Sequence, residues 1–216
     1  APAPAPAPGW TGPYVGVAGG WGWGHSDQTD PPFQVGDGHF NLSGGLVGGT
    51  LGYNWQNGQW VFGVEGDYSW ADISGQSNAC GPIPPFLAHP CGTKIESFGT
   101  VRARLGPVMG NALPYVTGGW AFGDVHGWDS RNPAAPQSGT KMYSGWTVGA
   151  GIEWRLDPRW SAKIEYLYAD LGKNHLFDIL LAPTVPETVS ATANIIRVGL
   201  NYKFGDMGKA PVVAKY

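Results

Sequence analysis

Few residues in this chain are of a kind that does chemistry unaided, and those few are scattered. His25, His39, His89, His126 and His175 fall in five separate segments. Nucleophilic catalysis needs a nucleophile and a base side by side. His126 near Ser130 or Ser144 comes closest, and chance proximity explains it better. No catalytic residue, cofactor or bound metal is therefore expected. Cys80 and Cys91 bracket a Pro- and Gly-rich segment, CGPIPPFLAHPC. An even count in an exported protein favours a disulfide, and closing so short a loop contributes roughly 3 kcal/mol. Two free thiols are the alternative; metal binding is weaker still, with His89 the one other ligand type nearby. The remaining candidates are charges at alternating positions: Glu65 and Asp67, Arg102 and Arg104, Glu153 and Arg155, Lys163 and Glu165, and Arg197. Four acids and five bases in such a pattern suit mutual neutralisation, not reaction.

Alternation at period two is the signature of a half-buried strand. Eight such runs are expected, over about 12–24, 40–56, 59–73, 94–106, 113–127, 142–155, 159–171 and 192–204. The connections near 57–58, 107–112 and 156–158 are short. Those at 25–39, 74–93, 128–141 and 172–191 are long and polar. Short turns at one end and long loops at the other, with an even strand number, predict an outer-membrane barrel with both termini periplasmic. The composition agrees: 35 glycines and 11 tryptophans in 216 residues, with 13% charged residues against about 25% in soluble domains. No basic run points to nucleic acid. No stretch approaches the roughly 18 apolar residues of a membrane helix. Residues 1–8 are four Ala-Pro repeats, an extended polyproline II spacer. The start at Ala1-Pro2 fits signal-peptide cleavage, although trimming would look the same. The expected organisation is a spacer over 1–9, a barrel over 10–204 and a periplasmic tail over 205–216.

Turn chemistry sets register. Asn57-Gly58 suits a two-residue type I′ hairpin, which would pair Gln56 with Gln59 and Trp55 with Trp60. Val47, Leu51, Tyr53 and Trp55 then share a face with Trp60, Phe62, Val64, Tyr68 and Trp70. Trp146, Val148, Ala150, Ile152 and Trp154 face with Trp160, Ala162, Ile164, Tyr166 and Tyr168, so the turn at Leu156-Asp157-Pro158 needs an odd residue count. Ile196, Val198, Leu200, Tyr202 and Phe204 form the last apolar face. The run PYVTGGWAFGDV has no assignable faces.

The charges lie opposite those apolar faces. An eight-stranded barrel has room inside only for side chains, where opposite charges pair; on lipid, each Arg or Lys at the midplane would cost about 2–4 kcal/mol. The apolar faces are therefore expected outside, in an all-β, eight-stranded transmembrane barrel with a side-chain-filled interior. Trp60 and Trp70 stand ten residues apart on one face, about 25 Å along the membrane normal at a tilt near 40°. With Trp55, Trp146, Trp154, Trp160 and Tyr168 they form the expected aromatic girdles. Gly44, Gly48 and Gly52 are expected to allow curvature and make room for interior arginines.

The last strand, RVGLNYKF over 197–204, looks like the terminal signal read by the barrel-assembly machinery, through Gly199, Tyr202 and Phe204. With GWTGPYVGVAGGWGWG at the start and GYNWQNGQWVFGVEGDY in the middle, the chain resembles the porin/opacity-type outer-membrane proteins of alpha-proteobacteria, OmpA-like eight-stranded barrels. The resemblance covers about residues 10–204. It implies an abundant envelope protein with a structural role, in contact with outer-membrane lipid and lipopolysaccharide. Some relatives look to be joined to peptidoglycan through the mature N-terminus. Ala1 with its spacer suits that chemistry, and a stub without a role suits it as well. The signal usually ends such proteins, whereas residues 205–216 follow here. The other readings are a small porin-like channel, disfavoured by the charged lumen, and surface recognition through the long loops, with Phe33, Phe86 and Phe177 as contacts. Lateral self-association through the Trp-rich face is plausible, but lipid contact explains that face alone.

Overall fold

The computed structural model describes residues 9–30, 35–80, 89–130, 137–178 and 186–204, with side chains over 9–25, 41–78, 90–128, 130, 138–172 and 192–204. Eight strands occupy them: β1 Gly12–Asp30, β2 Val35–Asn57, β3 Trp60–Cys80, β4 His89–Pro107, β5 Ala112–Asp129, β6 Gln137–Arg155, β7 Trp160–Asp178 and β8 Pro186–Lys203. Each pairs antiparallel with its chain neighbours, and β8 returns to β1, closing the barrel. Closure leaves no unpaired edge in the spanning region, where lipid could not satisfy one.

The β2–β3 turn lies one residue later than the sequence suggests. Asn57 pairs with Trp60 and Gln56 with Val61, so Gly58 and Gln59 make the turn, and Gly58 takes the positive φ of 60°. The slip changes every partner but not parity, so the face assignment survives. In the β6–β7 turn, Leu156 N–H reaches Trp160 O at 2.9 Å, leaving three residues between them. The Asp157 carboxylate accepts from the N–H groups of Arg159 (2.7 Å) and Trp160 (2.8 Å), the local bond that makes Asp a turn residue.

The register fixes the barrel's shape. From Phe62, the paired residues run Leu105, Val116, Ala150, Tyr166, Ile196, Trp21 and Gly45, and then return to β3 at Asp72. One circuit climbs from 62 to 72 on the same strand. With eight strands about 4.8 Å apart and about 3.3 Å per residue, that stagger gives a tilt near 40° and a backbone radius near 8 Å. Such a cylinder holds side chains and nothing wider.

The wall faces two solvents. Between the girdles the exposed residues are Val47, Leu51, Phe62, Val64, Val116, Val148, Ile164 and Val198. Beyond Trp70 and Trp146 the outward positions become Asn41, Ser43, Asp72, Ser74, Gln76, Glu96, Thr140 and Ser144, and Lys94 pairs with Asp72 at 3.2 Å. The inward positions change in the opposite sense. Above the charged level the lumen is filled by Leu42, Leu46, Ile73, Ile95, Phe98, Val125, Tyr143, Leu167, Leu171 and Ile195. The long-loop half is thus built like a water-soluble barrel, oily within and polar without. This is why strands continue through much of what the sequence presents as long loops, including 25–30, 35–39 and 74–80.

The wall also divides in this long-loop half. β2 and β3 last pair at Ser43 and Ser74, and β6 and β7 at Trp146 and Asp170, although all four strands continue. Among the described residues the upper barrel is therefore two four-stranded sheets, β7-β8-β1-β2 and β3-β4-β5-β6. A bulge accompanies the second seam: Gly172 has a φ of 74°, its N–H donates to Asp170 Oδ1 at 2.9 Å, and the β7–β8 register shifts between Asp170 and Lys173. Bulges bend and twist a strand away from its neighbour.

Two arginine substitutions separate the two zones. Val64→Arg, on the lipid face between Trp60 and Trp70, should cost about 2–4 kcal/mol. Gln76→Arg, outward above the girdle, should stay within about 0.5 kcal/mol of the parent. The urea midpoint of the faster-migrating, unboiled form on a detergent gel reads both.

Candidate functional site

Inward positions on β3, β4, β6, β7 and β8 collect eight ionised side chains at one level of the lumen, all buried: Glu65, Asp67, Arg102, Arg104, Glu153, Lys163, Glu165 and Arg197. Asp67 receives both ends of the Arg197 guanidinium, at 2.9 and 3.0 Å. Arg197 Nε donates to Glu165 at 2.7 Å. Arg102 bridges the barrel, from β4 to Glu165 on β7 at 2.9 Å, and to Glu65 (2.6 Å) and Asp67 (3.1 Å) on β3. Lys163 on β7 crosses to both oxygens of Glu65, at 2.8 and 2.7 Å. Arg104 crosses from β4 to Glu153 on β6 at 2.6 Å. Four acids meet four bases, so the layer is neutral; the Arg197–Asp67 contact is bidentate, and Arg102 divides its donors among three carboxylates.

Neutral groups complete the layer. The Tyr14 hydroxyl donates to Glu65 at 2.8 Å and Tyr115 to Glu165 at 3.0 Å, while the Arg104 guanidinium lies 4.1 Å from the Tyr115 ring centroid. Thr100 hydrogen-bonds Asp67, and Ser161 and Asn201 hold Glu153 at 2.5 and 3.0 Å. Sequence reasoning missed these partners. A signal for the tyrosines was present in the repeated Pro-Tyr-Val at 13–15 and 114–116. It would also have settled the faces of β5, where odd residues point inward and Val116 and Trp120 outward.

Arg155, the ninth charge of the expected interior set, lies toward the short-turn mouth, with its guanidinium 4.3 Å from the ring centroid of Trp10. Trp10, 4% exposed, packs on Val61 and Leu113 and covers that mouth. Its backbone N–H donates to Gln56 Oε1 at 2.8 Å, and Lys203 Nζ donates to Gly9 O at 2.5 Å. The glycines serve differently from expectation. A Cβ at Gly44 or Gly48 would strike the backbone of β3, and one at Gly52 the Tyr14 ring, each within 2.4 Å. Room for an interior arginine is made at Gly63, where a Cβ would lie 2.9 Å from Arg104 Cγ.

Outside, Trp55, Trp60, Trp154 and Trp160 ring the short-turn end, with Trp70, Trp146 and Tyr168 toward the other. All but Tyr168 are more than two-fifths exposed. Tyr202 stacks edge-on between Trp160 and Phe204, at 5.0 and 5.1 Å, and Gly199 faces Lys163. His126 Nδ1 meets Thr140 Oγ1 at 2.9 Å, and neither Ser130 nor Ser144. No cluster of three or more metal-ligating side chains occurs among the described residues. Cys80 and Cys91 lie on the ends of β3 and β4, where Cys80 pairs with His89 and Ser77 with Cys91, and Cys91 is buried. Ala1, Phe33, Phe86 and the tail 205–216 lie outside the described residues, as do the side chains of His39, His89, His175 and Phe177.

Comparison with known proteins agrees with this architecture. Residues 1–204 match the family model described as outer membrane protein beta-barrel domain. The chain is 38% identical over 211 residues to a 31 kDa outer-membrane immunogenic protein of Brucella melitensis, covering 90% of this chain and 84% of that one. It is 32% identical over 213 residues to a 25 kDa outer-membrane immunogenic protein of Brucella abortus, covering 94% and 84%. It is 34% identical over 165 residues to a 22 kDa outer membrane protein of Rhizobium leguminosarum, covering 76% and 66%. Among solved structures, the fold is similar to the outer membrane protein OprG of Pseudomonas aeruginosa (TM-score 0.53, 13% identity, covering 89% and 97%) and the outer membrane protease OmpT of Escherichia coli (TM-score 0.59, 8% identity, covering 89% and 97%). With eight strands closed around a charged lumen and relatives of this kind in alpha-proteobacteria, the chain belongs to the outer membrane protein beta-barrel family and is a protein of the bacterial outer membrane.

Proposed function

We propose that this protein is a closed, structural barrel of the cell envelope, with its short turns and the first and last residues of the barrel chain facing the periplasm. The observation that carries the reading is the set of pairs that cross the lumen, Arg102–Glu165, Lys163–Glu65 and Arg104–Glu153. They stand between the apolar packing of the outer half and Trp10 at the opposite mouth. A solute would have to displace three successive layers. The orientation is supported by the length difference between the two sets of connections and by the ends themselves: Phe204 N–H bonds Pro13 O at 2.9 Å, at the short-turn end. Assembly by the barrel-assembly machinery through Gly199, Tyr202 and Phe204 and attachment to peptidoglycan through Ala1 rest on sequence alone.

A second reading is favoured by the polar outer wall. It carries the ends of β3 and β4, at Cys80 and His89, beyond the aromatic girdle, and a segment joining strands of a rigid scaffold on that side serves recognition. We propose that a Cys80–Cys91 disulfide ties that segment, supported by the adjacency of β3 and β4 at Cys80↔His89 and Ser77↔Cys91.

Three outcomes follow. In planar bilayers the protein should give no reproducible nanosiemens steps; such steps would overturn the closed reading. Glu165→Ala strands Arg102 and Arg197 beside one carboxylate fewer. It should cost about 3–5 kcal/mol, read as the urea midpoint of gel mobility, and should raise bilayer leak. Intact mass after alkylation without reductant should show no modified thiol if the disulfide forms, and two modified thiols if it does not.

A further inference from the structure

Gly9, Trp10 and Thr11 lie outside both ladders of β1, which first pairs with β2 at Gly12↔Asn54 and with β8 at Tyr14↔Lys203. They are nevertheless tied down. Lys203 Nζ, at the end of β8, donates to Gly9 O, and Gln56 Oε1, at the end of β2, accepts the Trp10 backbone N–H. The Gln56 backbone N–H donates to Thr11 Oγ1 at 2.9 Å. Between these ties the Trp10 ring turns into the mouth. It packs with Val61 of β3 and Leu113 of β5, against the Arg155 guanidinium of β6. Three residues outside the sheet thus touch β2, β3, β5, β6 and β8.

The chain reaches the mouth through a turn that suits glycine. Gly12 has a φ of 133°, a conformation disfavoured for any residue with a Cβ. The turn sits at the last residue of the ladder, so residues 9–11 can swing about it without breaking a strand pair. Three hydrogen bonds and one buried ring hold them down. Behind them lies the charged layer. A cavity of about 20 Å³ beside Trp10 is lined by Tyr14, Asn54, Glu153 and Ser161, room for one water. Tyr14 and Glu153 are themselves partners in the layer.

We propose that residues 9–11 are a strap, hinged at Gly12, which closes the short-turn mouth with Trp10 and lifts from it while the barrel stays intact. The strap directly continues residues 1–8. Whatever draws that segment away from the rim therefore draws Trp10 out with it and admits water to the Glu153 end of the layer. The inference deepens the closed-barrel reading and rests on it: of the three layers that a solute would have to displace, this is the one not built into the strands.

The test is thiol labelling of the folded, full-length protein in detergent, in a Cys80→Ser/Cys91→Ser background. Val61→Cys puts a reporter beneath Trp10, at a position 1% exposed, and the faster mobility of the unboiled sample verifies folding. A charged methanethiosulfonate should modify this thiol slowly. Lys203→Met removes the bond to Gly9, and Gly12→Ala strains the hinge. Each should speed labelling about tenfold, although neither residue belongs to the Trp10, Val61 and Leu113 cluster. Trp10→Ala should speed it at least as much. A rate that Lys203→Met and Gly12→Ala leave unchanged would overturn the strap and make Trp10 a fixed part of the wall. So would a rate already as fast as that of Trp10→Ala. Leu113→Cys is the second reporter if Val61→Cys does not fold. Reproducible bilayer steps would count against the closed reading alone, because labelling compares rates at one mouth whether or not the barrel conducts.

Discussion

Arg102 and Arg197 share the carboxylates of Glu65, Asp67 and Glu165 inside a cylinder about 8 Å in backbone radius. Everything else about the spanning half follows from where those charges must be. Ionised side chains cannot face hydrocarbon, so the alternating residues beside them must, and the apolar band and its tryptophans take the outside. The network adds less net stability than its contact list suggests, because the attraction largely repays desolvation. Its stronger effect is on register. Arg102, Lys163 and Arg104 each reach a strand that is not their neighbour, so sliding any one strand by two residues would leave several buried charges unpaired.

The long-loop half obeys the same rule with the solvent changed. Once the wall passes Trp70 and Trp146 it meets water, and the outward positions turn polar while Ile73, Leu167 and Ile195 fill the space that Asp67, Glu165 and Arg197 fill lower down the same strand faces. The barrel can also come apart into two sheets there, since exposed backbone finds water, which lipid would not supply. Only above the girdle can seams such as β6–β7 lie open without penalty.

Much of the fold was legible in the sequence, for a geometrical reason: a period of two survives small errors. The β2–β3 turn differs from expectation by one residue, yet each facing pair keeps its side because the partner shift is even. The candidate site was legible as a set of charges and not as a set of contacts. Tyr14, Tyr115, Asn201 and Thr100 belong to the network through position in the round. Arg155 shares the parity of Glu153 and lies nearer the mouth, against Trp10. The glycines fell out of reach for a similar reason: whether a missing Cβ serves a backbone, a ring or a guanidinium depends on the strand across the hydrogen-bond ladder.

The sequence by itself determined the number of strands, their alternation, which face meets lipid and which end carries the short turns, because each is a local consequence of side-chain polarity repeating at the period of a strand. Tertiary structure decided the stagger of 62 against 72 around the barrel, the pairing of individual charges across the lumen, the apolar filling of the long-loop half and the closing of one mouth by Trp10. These depend on distances between residues far apart in the chain, which are set only when the eighth strand meets the first.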